Sequence, residues 1–337
     1  MKRKIKIATL ILLLAGSAIL CAVRWQAWFG IPEEPLWTGE KQTYQFHTFE
    51  ADTVHGFTHT EDGWTNTSTP HSLDILILGD IHNNLTTTDY NQIAQRHPEI
   101  DIITQAGDWM ERGQSYYYQS LLKEWIPSEL SKLPVINCPG NHEYTKGILK
   151  SLPKDWYSWF PHPQNGTVDH KGSMYYIDFP QLRFIVIDTN PLNRIVYLTR
   201  TLTWVQKAIN TAGNKHVVAM MHHPIFSAAE GRFNPLVYAS LRYPLGQADL
   251  VISGHDHSYM RHMPFVVLNS AGKKKTPKQY RLITPEYQAE EEVYAIFSMP
   301  SHQPPILRTY RLSDGYIIDS CYVHHQRHSS FSPTPLR

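Results

Sequence analysis

Short apolar runs alternate with amphipathic stretches through the middle of the chain. The apolar runs predict strands at Leu73–Leu78, Ile100–Thr104, Val135–Cys138, Phe184–Ile187, Val217–Met221 and Leu250–Ser253. The stretches between them predict helices at Thr88–His97, Tyr116–Leu133 and Leu202–Thr211. Apolar strands that are bounded by glycine or proline and separated by helices predict an α/β fold whose sheets are covered on both faces.

Two further patterns follow toward the carboxyl terminus. Leu307–Leu312 and Tyr316–Val323 flank Ser313-Asp314-Gly315, which predicts a β-hairpin. The segment Gly272–Pro285 contains three consecutive lysines and is interpreted as an exposed insertion loop, with a phosphate-attracting role for the lysines as the alternative. The tail at 326–337 is expected to be flexible.

The amino terminus has the pattern of a membrane-targeting segment. Four basic residues, Lys2, Arg3, Lys4 and Lys6, precede an uncharged run from Ile7 to Val23. As a helix at about 1.5 Å per residue this run is about 25 Å long, close to the thickness of a bilayer core. Residues 1–30 are therefore predicted to be an uncleaved anchor, and a cleaved signal peptide is the alternative. In both cases the rest of the chain faces away from the cytoplasm, because the basic flank stays inside.

Composition narrows the class of protein. The chain has 337 residues, and 31 Lys+Arg minus 30 Asp+Glu leaves a net charge of +1, which argues against a nucleic-acid-binding surface. The three cysteines form no paired metal motif. We predict a connector with edge strands at 31–70 and one catalytic domain at 71–325. The unusual feature is the 19 histidines, and their positions carry the functional hypothesis.

Polar residues with metal-binding side chains follow five of the predicted strands. They are Asp80-Ile81-His82, Asp108, Asn141-His142, His222, and His255-Asp256-His257. Loops at the carboxyl ends of strands are where α/β folds build their sites, so these side chains converge if the strands share a sheet. Carboxylates, an amide and imidazoles are good ligands for Mn, Fe or Zn. Each motif alone is weak evidence, but five in order after apolar runs indicate a shared site.

In this order the motifs resemble those of the calcineurin-like metallophosphoesterase superfamily, which are D-x-H, G-D-x-x-D/E-R, G-N-H-D/E, H and G-H-x-H. The segments His222–Phe226 and Gly254–Arg261 are similar to the bacterial relatives of purple acid phosphatases. Those purple enzymes carry a tyrosine ligand where this chain has Glu111, so the resemblance implies neither their tyrosinate chromophore nor a required iron(III).

The resemblance implies a four-layer αββα sandwich, in which two mixed β-sheets are flanked by helices, with a two-metal site at one edge. The implied ligands are Asp80, His82 and His257 for one metal, Asn141, His222 and His255 for the other, and Asp108 for both. A hydroxide between the metals would attack phosphorus in line. His142 would protonate the leaving group.

Residues beside the implied ligands have other expected roles. Arg112, His223 and Tyr144 are candidate substrate contacts. Glu143 and Asp256 are expected to orient the site rather than to bind metal.

The resemblance implies a phosphoesterase, with a phosphomonoesterase favoured, and the amino-terminal segment predicts that it is tethered to a membrane. Its partners would be a small phosphate ester or a lipid head group. A phosphodiesterase or pyrophosphatase acting on nucleotides or lipid head groups is the first alternative. A metal-free interaction scaffold is a further alternative, against which the complete set of ligand positions argues.

Overall fold

Two stacked β-sheets form the centre of the structure. The computed structural model describes residues 34–54, 72–145, 151–193, 195–277 and 283–326. The first sheet has the spatial order β13 (Ile317–Tyr322), β12 (Ile306–Arg311), β11 (Val293–Met299), β1 (Leu73–Leu78), β2 (Ile102–Gln105) and β3 (Val135–Asn137). The second has the order β10 (Tyr287–Ala289), β8 (Tyr259–His262), β9 (Phe265–Val267), β7 (Leu250–Ser253), β6 (His216–Met221), β5 (Leu182–Ile187) and β4 (Tyr175–Asp178).

Both sheets are mixed. In the first sheet β1 pairs with β2 and β2 with β3 in parallel, whereas β11, β12 and β13 pair antiparallel. In the second sheet β5, β6, β7 and β9 are successive parallel neighbours, and β4, β8 and β10 pair antiparallel. The carboxyl ends of parallel neighbours lie at the same edge, so each sheet gathers the loops that follow its parallel strands.

Helices cover the outer face of each sheet. Helices α1 (Thr87–Arg96), α2 (Ser115–Trp125) and the short α3 (Trp156–Trp159) pack against the first sheet. Helices α4 (Ile195–Asn210) and α5 (Pro235–Leu245) pack against the second. Helix α1 begins with a capping box, in which the Thr86 side chain accepts from the Asp89 amide and the Asp89 carboxylate accepts from the Thr86 amide.

Side chains that alternate between the two faces of each strand explain why both faces of the sheets are covered. In β1, Ile75 and Ile77 lie in the apolar core between the sheets, and Leu76 and Leu78 lie in the core under the helices. Successive side chains of a strand point to opposite faces, so a wholly apolar strand is suited to burial on both sides. The order helix, sheet, sheet, helix confirms the predicted layered α/β fold with two mixed sheets.

Three local predictions differ from the structure. The helix predicted at Tyr116–Leu133 ends at Trp125 and is followed by a 3-10 turn, because Pro127 lacks the amide hydrogen that continues a helix. The helix predicted at Leu202–Thr211 begins earlier, at Ile195. Residues 34–54 of the predicted connector form no named strand, and only Thr53 makes an isolated bridge, to Asp178.

The predicted membrane anchor at 1–30 lies outside the described residues, as do residues 31–33 and 55–70 of the connector and 327–337 of the tail. Among the residues that the structure describes, no helix has the length and apolar character needed to cross a bilayer. The proposed segment boundaries stay predictions.

Candidate metal centre

Five loops meet at one edge of the sandwich, and they come from both sheets. Three follow β1, β2 and β3 of the first sheet, and two follow β6 and β7 of the second. The sequence argument for a shared site assumed that the five strands lie in one sheet. In the structure they lie in two sheets, and the stacking of the sheets brings the loops together. The loops bring together all seven predicted ligands, which are Asp80, His82, Asp108, Asn141, His222, His255 and His257.

The first group of candidate ligands is Asp80, His82 and His257. The Nε2 atoms of His82 and His257 are 3.2 Å apart. Asp80 Oδ1 lies 3.6 Å from His257 Nε2 and 3.9 Å from His82 Nε2. This oxygen is buried and accepts no hydrogen bond from any described residue, while Oδ2 accepts from the His255 amide at 2.6 Å. A buried carboxylate oxygen without a donor is costly unless a cation compensates it.

The second group surrounds the Nε2 atom of His222. Asn141 Oδ1 lies 3.1 Å from it, His255 Nδ1 lies 3.2 Å from it, and Asp108 Oδ2 lies 3.2 Å from it. Asp108 Oδ2 is also 3.8 Å from His82 Nε2. The other carboxylate oxygen of Asp108, Oδ1, accepts from the His142 amide at 2.8 Å. Asp108 Oδ2 therefore lies between the two groups, in the position that a bridging ligand requires.

The positions of the ring hydrogens indicate that the close nitrogen and oxygen atoms within each of the two groups are placed as ligands of a common metal ion rather than as hydrogen-bonded pairs. His222 Nδ1 lies 3.0 Å from the Ala106 carbonyl, and His257 Nδ1 lies 2.7 Å from the Lys273 carbonyl. Each Nδ1 must donate to its carbonyl, so in the neutral ring the Nε2 lone pair faces the cluster. Lone pairs that face one another repel unless a cation lies between them. Metal bonds of about 2.0 Å in a tetrahedral site place ligand atoms roughly 3.3 Å apart, so these residues fit two metal ions.

The electrostatics of the cluster favour neutral imidazoles with one exception. Burial lowers the pKa of His82 and of His257 to about 4 and also lowers the pKa of His255. Burial alone would lower the pKa of His222 as well, but the negative charge of Asp108 raises it to about 10. A bound cation would supply the positive charge that a proton on His222 supplies otherwise.

Backbone strain is concentrated at the same positions. Five described non-glycine residues have φ between 52° and 71°, and four of them are candidate ligands: His82, Asp108, His255 and His257, with Asn83 beside them. Such conformations cost energy and persist where function and surrounding contacts hold them. Gly140 is required by close packing, because a Cβ atom there would lie 2.2 Å from Asp108 Oδ1.

Two buried acids hold the loops. Glu143 accepts from the amides of Asp108 at 2.9 Å, Gly140 at 2.7 Å and Met110 at 3.1 Å. Asp256 accepts from the amides of Ala228 and Ala229. Burial raises the pKa of Glu143 to about 7 and that of Asp256 to about 6. These contacts agree with the expectation that both acids orient the site.

His142 lies at the open side of the cluster, and a third of its side chain is exposed. Its Nδ1 is 2.6 Å from the Glu111 carbonyl, and its Nε2 is 3.9 Å from Asp108 Oδ2. The carbonyl fixes the hydrogen on Nδ1, so Nε2 is the atom that can exchange a proton with a substrate. The ring is thus placed for proton transfer without belonging to either ligand group.

Glu111 has a contact that the sequence did not indicate. Its Oε2 lies 3.0 Å from His82 Nδ1, on the side of the ring away from the cluster. A carboxylate on the second nitrogen of a metal-binding histidine raises the basicity of the ring and fixes its orientation. The only signal in the sequence was the departure from tyrosine at this position.

The three candidate substrate contacts have different surroundings. Arg112 is partly exposed, and its guanidinium pairs with no side chain in the described ranges. His223 lies beside the second group, with its ring 4.5 Å from that of His255 and its Nδ1 2.8 Å from Thr189 Oγ1. The Tyr144 hydroxyl donates to the buried carboxylate of Asp188. Tyr144 is therefore placed to position its loop, whereas a substrate contact by Arg112 stays a prediction.

The sequence has detectable relatives. A family model described as Calcineurin-like phosphoesterase matches residues 73–259, which is more than half of the chain. A curated protein of Arcobacter nitrofigilis, named as a probable glycerophosphodiester phosphodiesterase, is 28% identical over 150 residues. The matched part is 43% of this chain and 49% of that protein, so the chain spans about half the length of its curated relative.

Solved structures share the fold at low identity. A purple acid phosphatase from yellow lupin (Lupinus luteus) seeds has a TM-score of 0.59 and 16% identity, covering 76% of this chain and 54% of that chain. A Plasmodium protein described as the anchor in the inner membrane complex has a TM-score of 0.56 and 12% identity, covering 76% and 89%. A dimetal phosphatase from Danio rerio has a TM-score of 0.50 and 11% identity, covering 75% and 99%.

Proposed function

The chain belongs to the calcineurin-like phosphoesterase family, and we propose that it is a phosphoester hydrolase. More specifically, we propose a phosphomonoesterase that depends on two metal ions and acts outside the cytoplasm. The observation that carries the proposal is Asp108 Oδ2, which lies 3.8 Å from His82 Nε2 and 3.2 Å from His222 Nε2. One carboxylate oxygen that is shared by two sets of nitrogen and oxygen ligands is the arrangement that two neighbouring cations need.

The chain supplies a complete set of ligands for two ions. In this proposal Asp80, His82 and His257 hold one ion, Asn141, His222 and His255 hold the other, and Asp108 holds both. When bound, the ions supply Lewis-acid polarisation of the phosphoryl group and an activated water nucleophile at neutral pH. The mixture of nitrogen and oxygen donors suits Mn, Fe or Zn.

His142 is the proposed general acid. Donation from Nδ1 to the Glu111 carbonyl leaves Nε2 as the proton donor to the leaving oxygen. Asp108 holds the loop of this histidine through the His142 amide, so the acid and the bridging carboxylate keep a fixed relation. Arg112 is the proposed phosphate clamp, because a guanidinium matches two phosphate oxygens.

The preference for monoesters is supported by the segments His222–Phe226 and Gly254–Arg261, which are similar to acid-phosphatase relatives. A phosphodiesterase is the second candidate, and the name of the Arcobacter relative supports it. Location outside the cytoplasm, with residues 1–30 as anchor or cleaved signal, is supported by the basic flank of the first apolar run.

The test uses the purified full chain, loaded in turn with Mn, Zn or Fe, on p-nitrophenyl phosphate and on bis-p-nitrophenyl phosphate. We expect faster turnover of the monoester, and faster turnover of the bis-ester would establish the second candidate instead. The Asp108→Asn variant is the control for metal-dependent turnover. A chain that retains no metal and hydrolyses neither ester would support the interaction scaffold.

A further inference from the structure

Positive charge is concentrated beside the metal centre, and the proposed reaction does not use it. The residues are Arg232, in the loop before α5, and the consecutive Lys273, Lys274 and Lys275. We refer to these four residues as the cationic rim. None of the four forms an ion pair with another residue in the described parts of the chain. Among the described acids, the buried carboxylate of Asp256 interacts electrostatically with Arg232, so the excess of positive charge lies on the three lysines. An excess of like charges is unfavourable unless an anion joins it.

The lysine segment is fixed to the centre by its main chain. The amides of Ala271 and Gly272 donate to the Asp80 carbonyl at 2.8 and 3.0 Å. The Lys275 amide donates to the His257 carbonyl at 3.0 Å, and His257 Nδ1 lies 2.7 Å from the Lys273 carbonyl. The lysines therefore follow a backbone anchored to two candidate ligands, and in the described part of the loop predicted at Gly272–Pro285, Lys273 and Lys274 are exposed as expected.

Gly272 shows how closely this segment approaches. A Cβ atom there would lie 3.0 Å from Asp80 Cβ and 3.2 Å from His257 Cγ. The backbone thus packs against the first group of ligands, with Lys273 and Lys274 exposed directly after it. Lysine side chains are long enough to reach a substrate held at such a distance.

Arg232 approaches the second group of ligands. Its Nη1 atom is 3.4 Å from His255 Nε2, and His255 Nδ1 is the ring atom that faces His222. If Nδ1 binds a cation, Nε2 carries the hydrogen, and a guanidinium has only donors. Arg232 then has no acceptor on this ring, and its charge is available to an anionic ligand.

The two segments are joined on the same side of the centre, because Ala229 forms an antiparallel bridge with Pro277. Between them they contain four cations and one acid, Glu230, which gives a local charge of 4 − 1 = +3. The whole chain has a net charge of only +1, so the concentration is local.

We propose that the cationic rim binds a second anionic group of the substrate, at a distance from the phosphate that is hydrolysed. The inference rests on the proposed function and names its substrate class, a phosphate ester that carries a further phosphate or equally charged group. A soluble bisphosphate and a lipid head group that carries two phosphates share this chemistry. The rim thus adds specificity to a centre that would otherwise accept any small phosphate ester.

Binding of two non-hydrolysable probes tests the inference without relying on turnover. Phenylphosphonate carries one anionic group, and benzene-1,4-diphosphonate carries a second group that is too distant to chelate the same ion. Titration calorimetry on the metal-loaded full chain compares the two dissociation constants. The variants are Lys273→Gln/Lys274→Gln/Lys275→Gln and Arg232→Gln. Lys123→Gln/Lys132→Gln/Lys207→Gln is the charge-matched control, because those lysines lie on the outer helices and turns.

We expect the wild-type chain and the control to bind the diphosphonate about tenfold more tightly than the monophosphonate, as charge-assisted hydrogen bonds to one more anionic group would give. Both rim variants should lose most of this preference. Equal affinity for the two probes in the wild-type chain would overturn the inference. So would a preference that survives in both rim variants.

Two further arms separate the possible failures. Turnover of phenyl phosphate by the wild-type chain tests the proposed function by itself, whatever the two probes show. Co-sedimentation with phosphatidylcholine vesicles, with and without cardiolipin, whose head group carries two phosphates, distinguishes the sources of the second anion. If the wild-type chain binds the anionic vesicles and the triple lysine variant does not, the second anion belongs to a lipid head group. A preference for the diphosphonate without such vesicle binding indicates a soluble bisphosphate.

Discussion

Two clusters of histidine and aspartate lie at opposite ends of the same two strands. His222 and His255 follow the carboxyl ends of β6 and β7 and belong to the candidate metal centre. At the other end, His216 begins β6 and Asp249 precedes β7, and His325 from the segment after β13 joins them. We refer to the latter three residues as the amino-end cluster. Both clusters place imidazole and carboxylate atoms close enough to ligate one ion.

In the amino-end cluster, His216 and the amides of Val217 and Gln326 donate to the Asp249 carboxylate, and His325 lies beside it. Asp249 Oδ2 lies 3.1 Å from His216 Nδ1 and 3.2 Å from His325 Nδ1, and it accepts from the Val217 amide at 3.0 Å. Asp249 Oδ1 accepts from the Gln326 amide at 2.8 Å. The two imidazoles are stacked with centroids 3.8 Å apart and planes 9° apart. A metal ion lies near the plane of each histidine that binds it, so parallel stacked rings cannot share one without rotating.

The metal centre has the opposite pattern. The Nε2 atoms of His82 and His257 face each other and the Asp80 carboxylate, carbonyls hold the Nδ1 hydrogens of His222 and His257, and four of the seven candidate ligands have strained backbones. The proximity of histidine and aspartate side chains alone does not distinguish a metal site from a hydrogen-bonded cluster. The direction of the donors does.

The largest expected effect is that of Asp108→Asn. The amide keeps the shape but removes the charge shared by both groups, so turnover should fall by more than about 10⁴-fold and metal content should fall at both sites. Asp249→Asn makes the same chemical change in the amino-end cluster and is the matched control. Its kcat should stay within about twofold of wild type, because no contact joins it to the centre. Comparable losses in both variants would remove the distinction between the clusters.

His142→Ala comes next. Loss of a general acid should lower kcat by roughly 10²–10⁴-fold, while elemental analysis finds normal metal content, since His142 belongs to neither ligand group. Substrates with a good leaving group, which need less protonation, should lose less than those with a poor one. A variant without bound metal would show instead that His142 is a ligand.

Glu143→Gln tests the support of the centre. The carboxylate accepts from three amides, and a glutamine would turn an NH₂ group toward at least one of them. We expect metal affinity to fall by about 10–100-fold, the usual effect of losing a residue that orients ligands. Asp249→Asn again serves as control, and metal titration followed by calorimetry measures the difference. Unchanged affinity would mean that the loops hold their positions without Glu143.

The smallest expected effect is on stability, at the amino-end cluster. Asp249→Asn should lower the free energy of unfolding by about 1–3 kcal/mol at pH 7, because buried donors lose a charged acceptor. Burial alone would raise the pKa of Asp249, but hydrogen bonds from His216, Gln326 and Val217 hold it below its usual range. A carboxyl group whose pKa is lower in the native than in the unfolded chain stabilises the fold at pH values above its unfolded pKa. This stabilisation is lost as the pH falls through the native pKa. The difference in unfolding free energy between variant and wild type should therefore shrink below about pH 4. Urea unfolding at several pH values measures it, and a difference independent of pH would contradict the assignment.

The strands that carry the motifs were predictable because each is an apolar run ending at glycine, proline or a polar motif. β1 has the predicted bounds, Leu73–Leu78. Strands β8 and β10 were not predicted, since Arg261, His262 and Gln288 interrupt their apolar character. Their pairing depends on neighbours in the folded chain rather than on local pattern.

The sequence predicted those residues of the candidate site that come directly after the ends of apolar strands. The seven candidate ligands meet as the order of motifs suggested, and their roles stay predictions. The contact of Glu111 with His82, and the union of Arg232 with the lysine segment, were not predictable. They join residues that are distant in sequence through tertiary contacts that leave no periodic signal.

Location of the metal ions in crystals of the full chain, by anomalous X-ray scattering, tests the central claim most directly. We predict two ions per chain, about 3.5–4 Å apart with Asp108 between them. We predict none at His216, Asp249 and His325. An ion at the amino-end cluster, or a single ion that Asp108 does not contact, would contradict the proposed centre.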